Sequence, residues 1–578
     1  MANSFKKRGQ KFLRKFSKAS VKASEEGKEH IKENLIERVS HIKDIKLLIL
    51  EWSLLVVALV MLSITQAMWF KNSYANNVFV DGGSYTEATI GKVNSMNPLF
   101  ATTNSEKVLS KLMFATLITN DYSGNPGLGL AKSINASENG KIWSLKLRDN
   151  LRWSDGEPIT NEDVLFTLSL IQNPAVNSIY DSNLGGVKVE ENDNGEIIFT
   201  LPSAYADFKT ALEIPIVPKH KLQDADPKTL IENEFSNSPV TSGAFSLNAL
   251  QSSISSDEQI VYLSANQNYY LGKPMLNSFA IHTYTDKDKV ISSINSNSVT
   301  ATAELSEIDT EKISSGAFYW KDSSINSGVF IFFNTANNLL KDTSLRSALR
   351  QGINVQELRS VAPNTIALDY PLINSQITLN NYPKLPEYNY ESAKTKVDEI
   401  TGNEEVSLNI VTVNSGYLPS VSEALSDQLN HLGFKSEVMV YEEDQEFLAN
   451  IVARRNYDIL IYEVELGADP DPLPYYHSSQ ANISGLNLSN YRNSLVDDLL
   501  IGARETLDPS LRAKKYETFL EYWVADTPSI AICQANMTYV YNKNVRTYGN
   551  DVRLVTAIDR FSDILDFAAV KEMRYKTP

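Results

Sequence analysis

The run WSLLVVALVMLSITQAMWF, Trp52 to Phe70, holds 19 residues without a charge and is preceded, across Glu51, by Leu47, Leu48, Ile49 and Leu50. As a helix rising about 1.5 Å per residue, it is just long enough to cross a hydrocarbon core of about 30 Å. Trp52 and Trp69 stand at its two ends, where interfacial aromatics belong. A cleavable signal peptide competes with this reading, but the basic region ahead of the span is far too long and no small-x-small site follows it. A lipoprotein anchor would need a Cys close to the span, and the only Cys in the chain is Cys533. Residues 1–70 carry 13 Lys+Arg against 7 Asp+Glu, with the basic excess lying before the span. The positive-inside rule therefore puts the N-terminus in the cytoplasm and everything after the span outside the cell membrane. The expectation is a signal-anchored, single-pass protein.

The cytoplasmic arm, residues 1–46, interleaves Phe5, Phe12 and Phe16 with Lys and Arg, a pattern suited to an anionic lipid surface. From Ser24 to Lys46 the charges alternate in sign, and Ile31, Leu35, Val39 and Ile42 fall at helical spacing. Partner binding and a merely solvated basic tail both remain open for this arm. Beyond residue 70 the balance reverses to 41 Lys+Arg against 63 Asp+Glu, a net −22. An ectodomain this acidic argues against nucleic acid and is compatible with cationic ligands. A chain of 578 residues, 42% hydrophobic, suits two or more lobes. Cys533, beside Ile530, Ala531 and Ile532, reads as buried in a strand and inert; no disulfide and no Cys pair for a metal is possible.

Within the ectodomain the most informative stretch is Arg152-Trp153-Ser154-Asp155-Gly156-Glu157-Pro158-Ile159-Thr160. Leu145, Leu147 and Leu151 alternate into it with Lys146, Arg148 and Arg152, as in a half-buried strand. Asp155-Gly156 supplies a turn, and Thr160 followed by Asp163 has the spacing of a capping box at a helix start. On these grounds Trp153 is a packed anchor. The wider pattern, Trp-Ser-Asp-Gly-x-Pro-Ile-Thr-x-x-Asp-Val-x-Phe-Thr from Trp153 to Thr167, resembles the signature of the family 5 extracytoplasmic solute-binding proteins, the peptide, dipeptide and nickel receptors of ABC importers.

Other segments resemble the same family in order. Met96-Asn97-Pro98-Leu99-Phe100 precedes a helical run, Lys107–Thr119, with Val108, Leu112 and Leu117 apolar. Residues 187–201 read as a hairpin around Asn192–Gly195. Ile214 to His220 resembles the family's Ile-Val-Pro-Lys-His, so His220 carries no metal role. Pro239 to Phe245 is a weaker match, with Thr241 and Ala244 where the family has Gly and Pro, and Asn266 to Pro274 is a good one. Val329–Asn334 followed by Leu345–Leu349 resembles the strand and helix opening a third lobe, with Arg346 at the surface or in domain pairing. Val406–Val413, Ser420–Leu432 and Lys435–Val440 read independently as βαβ, with Glu446–Arg454 helical and Tyr457–Tyr462 a buried strand.

Short catalytic motifs are missing after the span: no His-Glu-x-x-His, Gly-x-Ser-x-Gly, Ser-x-x-Lys, Walker or dinucleotide Gly pattern occurs. His220, His282, His431 and His477 are scattered. The site candidate is Glu465-Leu466-Gly467-Ala468-Asp469-Pro470-Asp471-Pro472, just past a strand end, where α/β lobes present ligand groups. The resemblance implies that Asp469 pairs with a peptide α-ammonium, while the backbone of Glu465, Leu466 and Gly467 takes the ligand as an added strand. Leu466 stands where relatives have an aromatic residue, and Pro470 comes one residue early. A Pro-rich acidic surface loop is the plainer alternative. Thr102, Thr103 and Asn104 lie where relatives form the opposite wall.

The expected fold is α/β: a bilobal, periplasmic-binding-protein-like fold with an extra domain (class II, large peptide-binding type), preceded by one transmembrane helix. Its parts are a cytoplasmic arm (1–46), the span (47–70), a linker (71–84), lobe I (85–120, 221–326 and 537–578), lobe II (121–220) and lobe III (327–536). The resemblance implies a monomeric receptor that closes on oligopeptides and hands them to an ABC permease. It implies no enzyme activity, cofactor or metal and no nucleic-acid partner. A nickel chelate or sugar oligomer as ligand, or a tethered sensor or adaptor without transport, are the alternatives.

Overall fold

Leu48–Lys71 lies inside one unbroken helix, Lys46–Tyr74, whose large apolar side chains from Leu48 to Phe70 are exposed, and it is long and apolar enough to cross a membrane. The computed structural model describes Glu25 and residues 46–121, 124–253, 258–402, 404–443, 445–549 and 553–575. The aromatic and basic segment at residues 5–16 and the helix expected up to Lys46 fall outside these residues, apart from Glu25 and Lys46. The linker expected over 71–84 is structured instead. The helix runs on to Tyr74, and the strand Ala75–Val80 then pairs with Val570–Tyr575. Two compact units result, Met1–Val78 with Lys571–Pro578, and Phe79–Val570.

The second unit is built on an eleven-stranded mixed sheet. At one end the βαβ pattern forms as expected. Val406–Val413 lies parallel to both Phe434–Tyr441 and Ile459–Glu465, and the helix Leu418–His431 buries Val421, Leu425 and Leu429. Gly433, at φ +102°, makes the turn between helix and strand, a conformation that L side chains resist. Two long antiparallel strands follow, Phe318–Phe333 and Ser529–Asn542. Beyond them the sheet continues through Ala301–Leu305, Ser84–Ile90, Ser278–Tyr284, Gln259–Ala265 and Phe245–Ser252. The sequence-based lobe boundaries at 326/327 and 536/537 fall inside the two long strands. There the ladder breaks register, between Ser324 and Gly328 and again between Val329 and Phe330.

A separate four-stranded sheet holds Ala131–Ala136, Ile142–Leu147, Ile197–Thr200 and Lys188–Glu191, the last two being the expected hairpin. The strand ends at Leu147, so Leu151 is buried but belongs to the turn. Arg152 bridges Pro158 across that turn, and Trp153 N–H donates to Glu157 O at 2.8 Å. Gly156, at φ +94°, closes it. Trp153 is fully buried in a core shared with Phe199, Phe245 and Phe279, the anchor role its sequence context suggests. A second core gathers residues between Val329 and Cys533, and Cys533 is buried in its strand.

Three local expectations need correction. The helix read as Lys107–Thr119 is Asn104–Met113. From Phe114 the chain is extended, because Ala115 N–H donates to Ser242 Oγ and Leu117 N–H to Ile214 O, and these bonds replace further helix. Glu446–Arg454 is a short α-turn, Gln445–Phe447, running into a π-turn, Leu448–Val452. Arg346 is not at the surface. It is 3% exposed and gives its guanidinium to the carbonyls of Leu340, Lys341, Asp526 and Thr527.

Candidate ligand-binding site

The strand Ile459–Glu465 runs three residues past its expected end, so Glu465 pairs with Ser327 and the candidate loop begins at Leu466. Leu466 N–H donates to Asn326 O at 2.7 Å. Gly467, at φ +65°, turns the chain, and its carbonyl accepts from Asn326 Nδ2 at 2.9 Å and Gln376 Nε2 at 2.7 Å. Gln376 also reaches Leu466 O at 3.1 Å, and Tyr475 OH donates to Glu465 O. The loop backbone is thus held from both sides by amide side chains.

Asp469 is 7% exposed, so the loop is not a surface feature at this residue. Its Oδ1 accepts from Arg512 Nη2 at 2.6 Å, whereas among the described residues its Oδ2 has only a longer bond from Tyr205 OH at 3.3 Å. Asp471 pairs with Arg504, whose Nε lies 2.7 Å away and whose guanidinium covers the Tyr205 ring at 5.1 Å. Burial pushes the Asp469 carboxyl up to about 7. Arg512 works against that rise, while Asp207 and Asp471 add to it. Three carboxylates therefore share the cluster with two guanidiniums, and Lys209 reaches Asp207 from the rim at 3.6 Å. Arg504, Arg512 and Tyr205 had no short-range signal in the sequence. They enter from a helix after residue 493, a helix after residue 508 and the lobe containing residue 205.

Beside this loop, where the two long strands break register, opens a cavity of about 350 Å³. Asn326 and Gln534 line it from those strands, Asp369 and Tyr370 from the segment after Ile366–Ala367, and Arg553 from the C-terminal segment. A volume at the lower end of small-ligand sites suits one or a few residues of a ligand rather than a large macromolecular surface. Asn326 links this cavity to the loop through its bond to Gly467 O.

Thr102, Thr103 and Asn104 stand at the start of a helix. Thr103 caps the helix Asn104–Met113, and Glu106 Oε2 accepts from the N–H groups of Thr102 and Thr103 at 2.9 and 3.1 Å. Asn104 Nδ2 donates to Glu304 Oε2 at 3.2 Å. Among the described residues, no hydrogen bond joins this triplet to residues 465–469. His220 bonds Asp155 at 3.0 Å, and no three His, Cys, Asp or Glu side chains gather as a metal site among the described residues.

Residues 125–485 match the family model for bacterial extracellular solute-binding proteins, family 5, middle region. Oligopeptide-binding protein AppA of Bacillus subtilis is 23% identical over 490 residues, covering 81% of this chain and 89% of its own. The structure of Bacillus subtilis AppA in complex with a nonapeptide superposes with a TM-score of 0.70 at 22% identity, over 85% of this chain and 100% of that one. NikZ from Campylobacter jejuni in complex with Ni(L-His) gives 0.72 at 22% identity, over 84% and 99%. The fold is that of the bilobal periplasmic binding proteins.

Proposed function

The chain belongs to the bacterial extracellular solute-binding proteins of family 5, binding receptors rather than enzymes, and from that premise we propose that it captures oligopeptides outside the cell and delivers them to an ABC permease while anchored by its own helix. The observation that carries this reading is the cavity at the break of the two long strands, tied to the loop after Glu465 by the bond from Asn326, one of its lining residues, to Gly467 O. A sheet that loses register between two cores is a natural pivot, and closure about it is the family of motion that sequesters a ligand.

Asp469 is the proposed amine anchor. Arg512 fixes Oδ1, and a peptide ammonium replaces the Tyr205 hydroxyl at Oδ2 with a shorter, charge-assisted bond. Leu466 and Gly467 offer the ligand backbone the carbonyls that Gln376 now holds, Glu465 the one that Tyr475 holds, and Thr102, Thr103 and Asn104 form the opposite wall. The helix Lys46–Tyr74 spans the membrane with the arm in the cytoplasm, and the receptor acts as a monomer.

Calorimetry on the full chain in lipid nanodiscs, with pools of di- to pentapeptides and separately with a nickel–histidine chelate, tests this. Heat from peptides that is lost in Asp469→Ala supports both the receptor and its anchor. Heat retained in the variant keeps the receptor and moves the anchor elsewhere. Heat from the chelate alone replaces peptide as cargo, and none from either favours a tethered adaptor. Protease protection in sealed vesicles reads the topology.

A further inference from the structure

The helix Lys46–Tyr74 passes into the strand Ala75–Val80 with no residue between them. The strand Val570–Tyr575 pairs with that strand. Val570 lies against Gly83, where an added Cβ would stand 2.8 Å from Val570 Cγ2, so the C-terminal strand starts beside the far end of its partner and runs back toward the helix. Its last residues, Met573, Arg574 and Tyr575, therefore return to the point where the chain leaves the span. Met573 and Arg574 are exposed there, and so is Lys71 in the last turn of the helix. Arg574 has a carboxylate nearby, Glu572 at 3.6 Å, but the two side chains are 64% and 60% exposed, so water screens the pair and it holds little.

Charge sets this spot apart. Residues 71–78 and 571–578 hold four Lys+Arg against one Glu, whereas residues 79–570 hold 37 Lys+Arg against 62 Asp+Glu. Lys71 by itself would suit the negative end of the helix dipole, but that leaves the cations of the returning strand without a reason. A ribbon of two strands is marginal in water and gains from a surface to rest on. The surface continuous with the span is the headgroup layer. Its negative charge, where anionic phospholipids are present, complements the basic ribbon end and not the acidic chain beyond it. An exposed guanidinium also matches a phosphate bidentately. We infer that the helix end of the ribbon is a lipid contact, in which Lys71 and Arg574 bind the phosphates of anionic phospholipids in the leaflet on the ectodomain side. The C-terminal strand is then a second, lipid-dependent hold on the membrane besides the helix. The inference rests on the reading that Lys46–Tyr74 spans the bilayer.

The test uses the full chain in nanodiscs, with a bimane label at Met573→Cys and, as a reference inside the span, at Met68→Cys; Cys533 is buried and does not compete for the label. The discs are phosphatidylcholine alone or phosphatidylcholine mixed with phosphatidylglycerol, each with and without a lipid that carries a quenching nitroxide on its headgroup. The expected result is a Met68 label quenched in both mixtures and a Met573 label quenched about twofold only with phosphatidylglycerol. Salt at about 1 M, where the Debye length is about 3 Å, should return the Met573 signal to its level in neutral lipid while Met68 stays quenched. Lys71→Gln combined with Arg574→Gln should do the same, and the salt series keeps the test open if that variant is unstable. A Met573 label left unquenched beside a quenched Met68 overturns the lipid contact, leaves the anchor standing and turns the ribbon toward a protein occupant. Equal quenching of Met573 in neutral and anionic discs, or quenching that survives salt, overturns the assignment to Lys71 and Arg574. A Met68 label unquenched in every disc overturns the membrane span and the inference with it.

Discussion

Arg346 and Lys321 both carry a charge into the protein, with opposite consequences. Arg346 fits its N–H donors to four backbone carbonyls and the Thr343 hydroxyl, with Nε and Nη2 on Asp526 O at 2.9 and 2.6 Å and Nη1 on Leu340 O at 2.8 Å. Replacing it with Met leaves those carbonyls without partners in a buried site, so urea unfolding should show a loss of about 3 kcal/mol. The sequence hid this role. Leu345, Ala348 and Leu349 mark the apolar face, and an Arg beside them looks solvated until carbonyls 180 residues later close over it. Lys321 has less to satisfy it. Burial lowers its ammonium from 10.5 to about 8, although Nζ lies 2.5 Å from Tyr548 O and over the Tyr548 ring. Below pH 8 both folded and unfolded chains hold the proton, and the cost of the buried charge is constant. Between pH 8 and 10.5 only the unfolded chain holds it, so stability rises with pH across that window. Unfolding midpoints measured from pH 7 to 10.5 should climb in the wild type relative to Lys321→Met, where this contribution is gone.

Elements were most legible where a local rule closed on itself. The helix Asn161–Ile171 begins where Thr160 and Asp163 placed it, but the carboxylate is the stronger partner of the two. Asp163 Oδ2 accepts Thr160 N–H at 2.9 Å, and its Oδ1 accepts Lys219 N–H at 2.9 Å from a segment 56 residues away. Asp163→Ala therefore opens a helix start and a long-range tie together. Thermal unfolding should register a cost of about 2 kcal/mol, against under about 1 kcal/mol for Thr160→Ala. The helix after Asn104 shows the limit of periodicity. Leu117 falls on the right phase and is buried, yet Phe114 is extended, because a distant segment packs here through Gly243, where an added Cβ would lie 2.5 Å from Met113 C. No window around residue 117 contains residue 243. Glu465 illustrates the same gap at a strand end, since its pairing depends on Ser327 and not on the apolar run that stops at Tyr462.

At the scale of the whole molecule, the family and its fold were legible because the pattern recurs along most of the chain after the span, whereas the contacts between distant segments were not. Tyr205 is the clearest of these. It lies in the segment 121–220, its hydroxyl meets Asp469 at 3.3 Å, Arg504 covers its ring, and Ala206 N–H donates to Arg504 O at 2.7 Å. Those partners belong to segment 327–536, so one aromatic residue joins two lobes at the proposed amine anchor. Tyr205→Ala removes the cation–π contact and the hydroxyl while leaving Asp469 with Arg512. An equilibrium between open and closed lobes then shifts toward open, and ligand affinity falls because closure must be driven afresh. The expected outcome is a larger radius of gyration by small-angle scattering for the ligand-free variant, and peptide affinity lower by roughly tenfold, about 1.4 kcal/mol. Saturating peptide should return the variant to the wild-type radius, since the ligand supplies the missing closure energy. Tyr205→Phe separates the two contributions. It keeps the ring under Arg504 and loses only the bond to Oδ2, the oxygen a peptide ammonium would take. If Asp469 is the amine anchor, this variant should bind peptide at least as well as the wild type, because the competing hydroxyl is gone. Weaker binding by Tyr205→Phe would mean that the hydroxyl supports the site rather than occupying it.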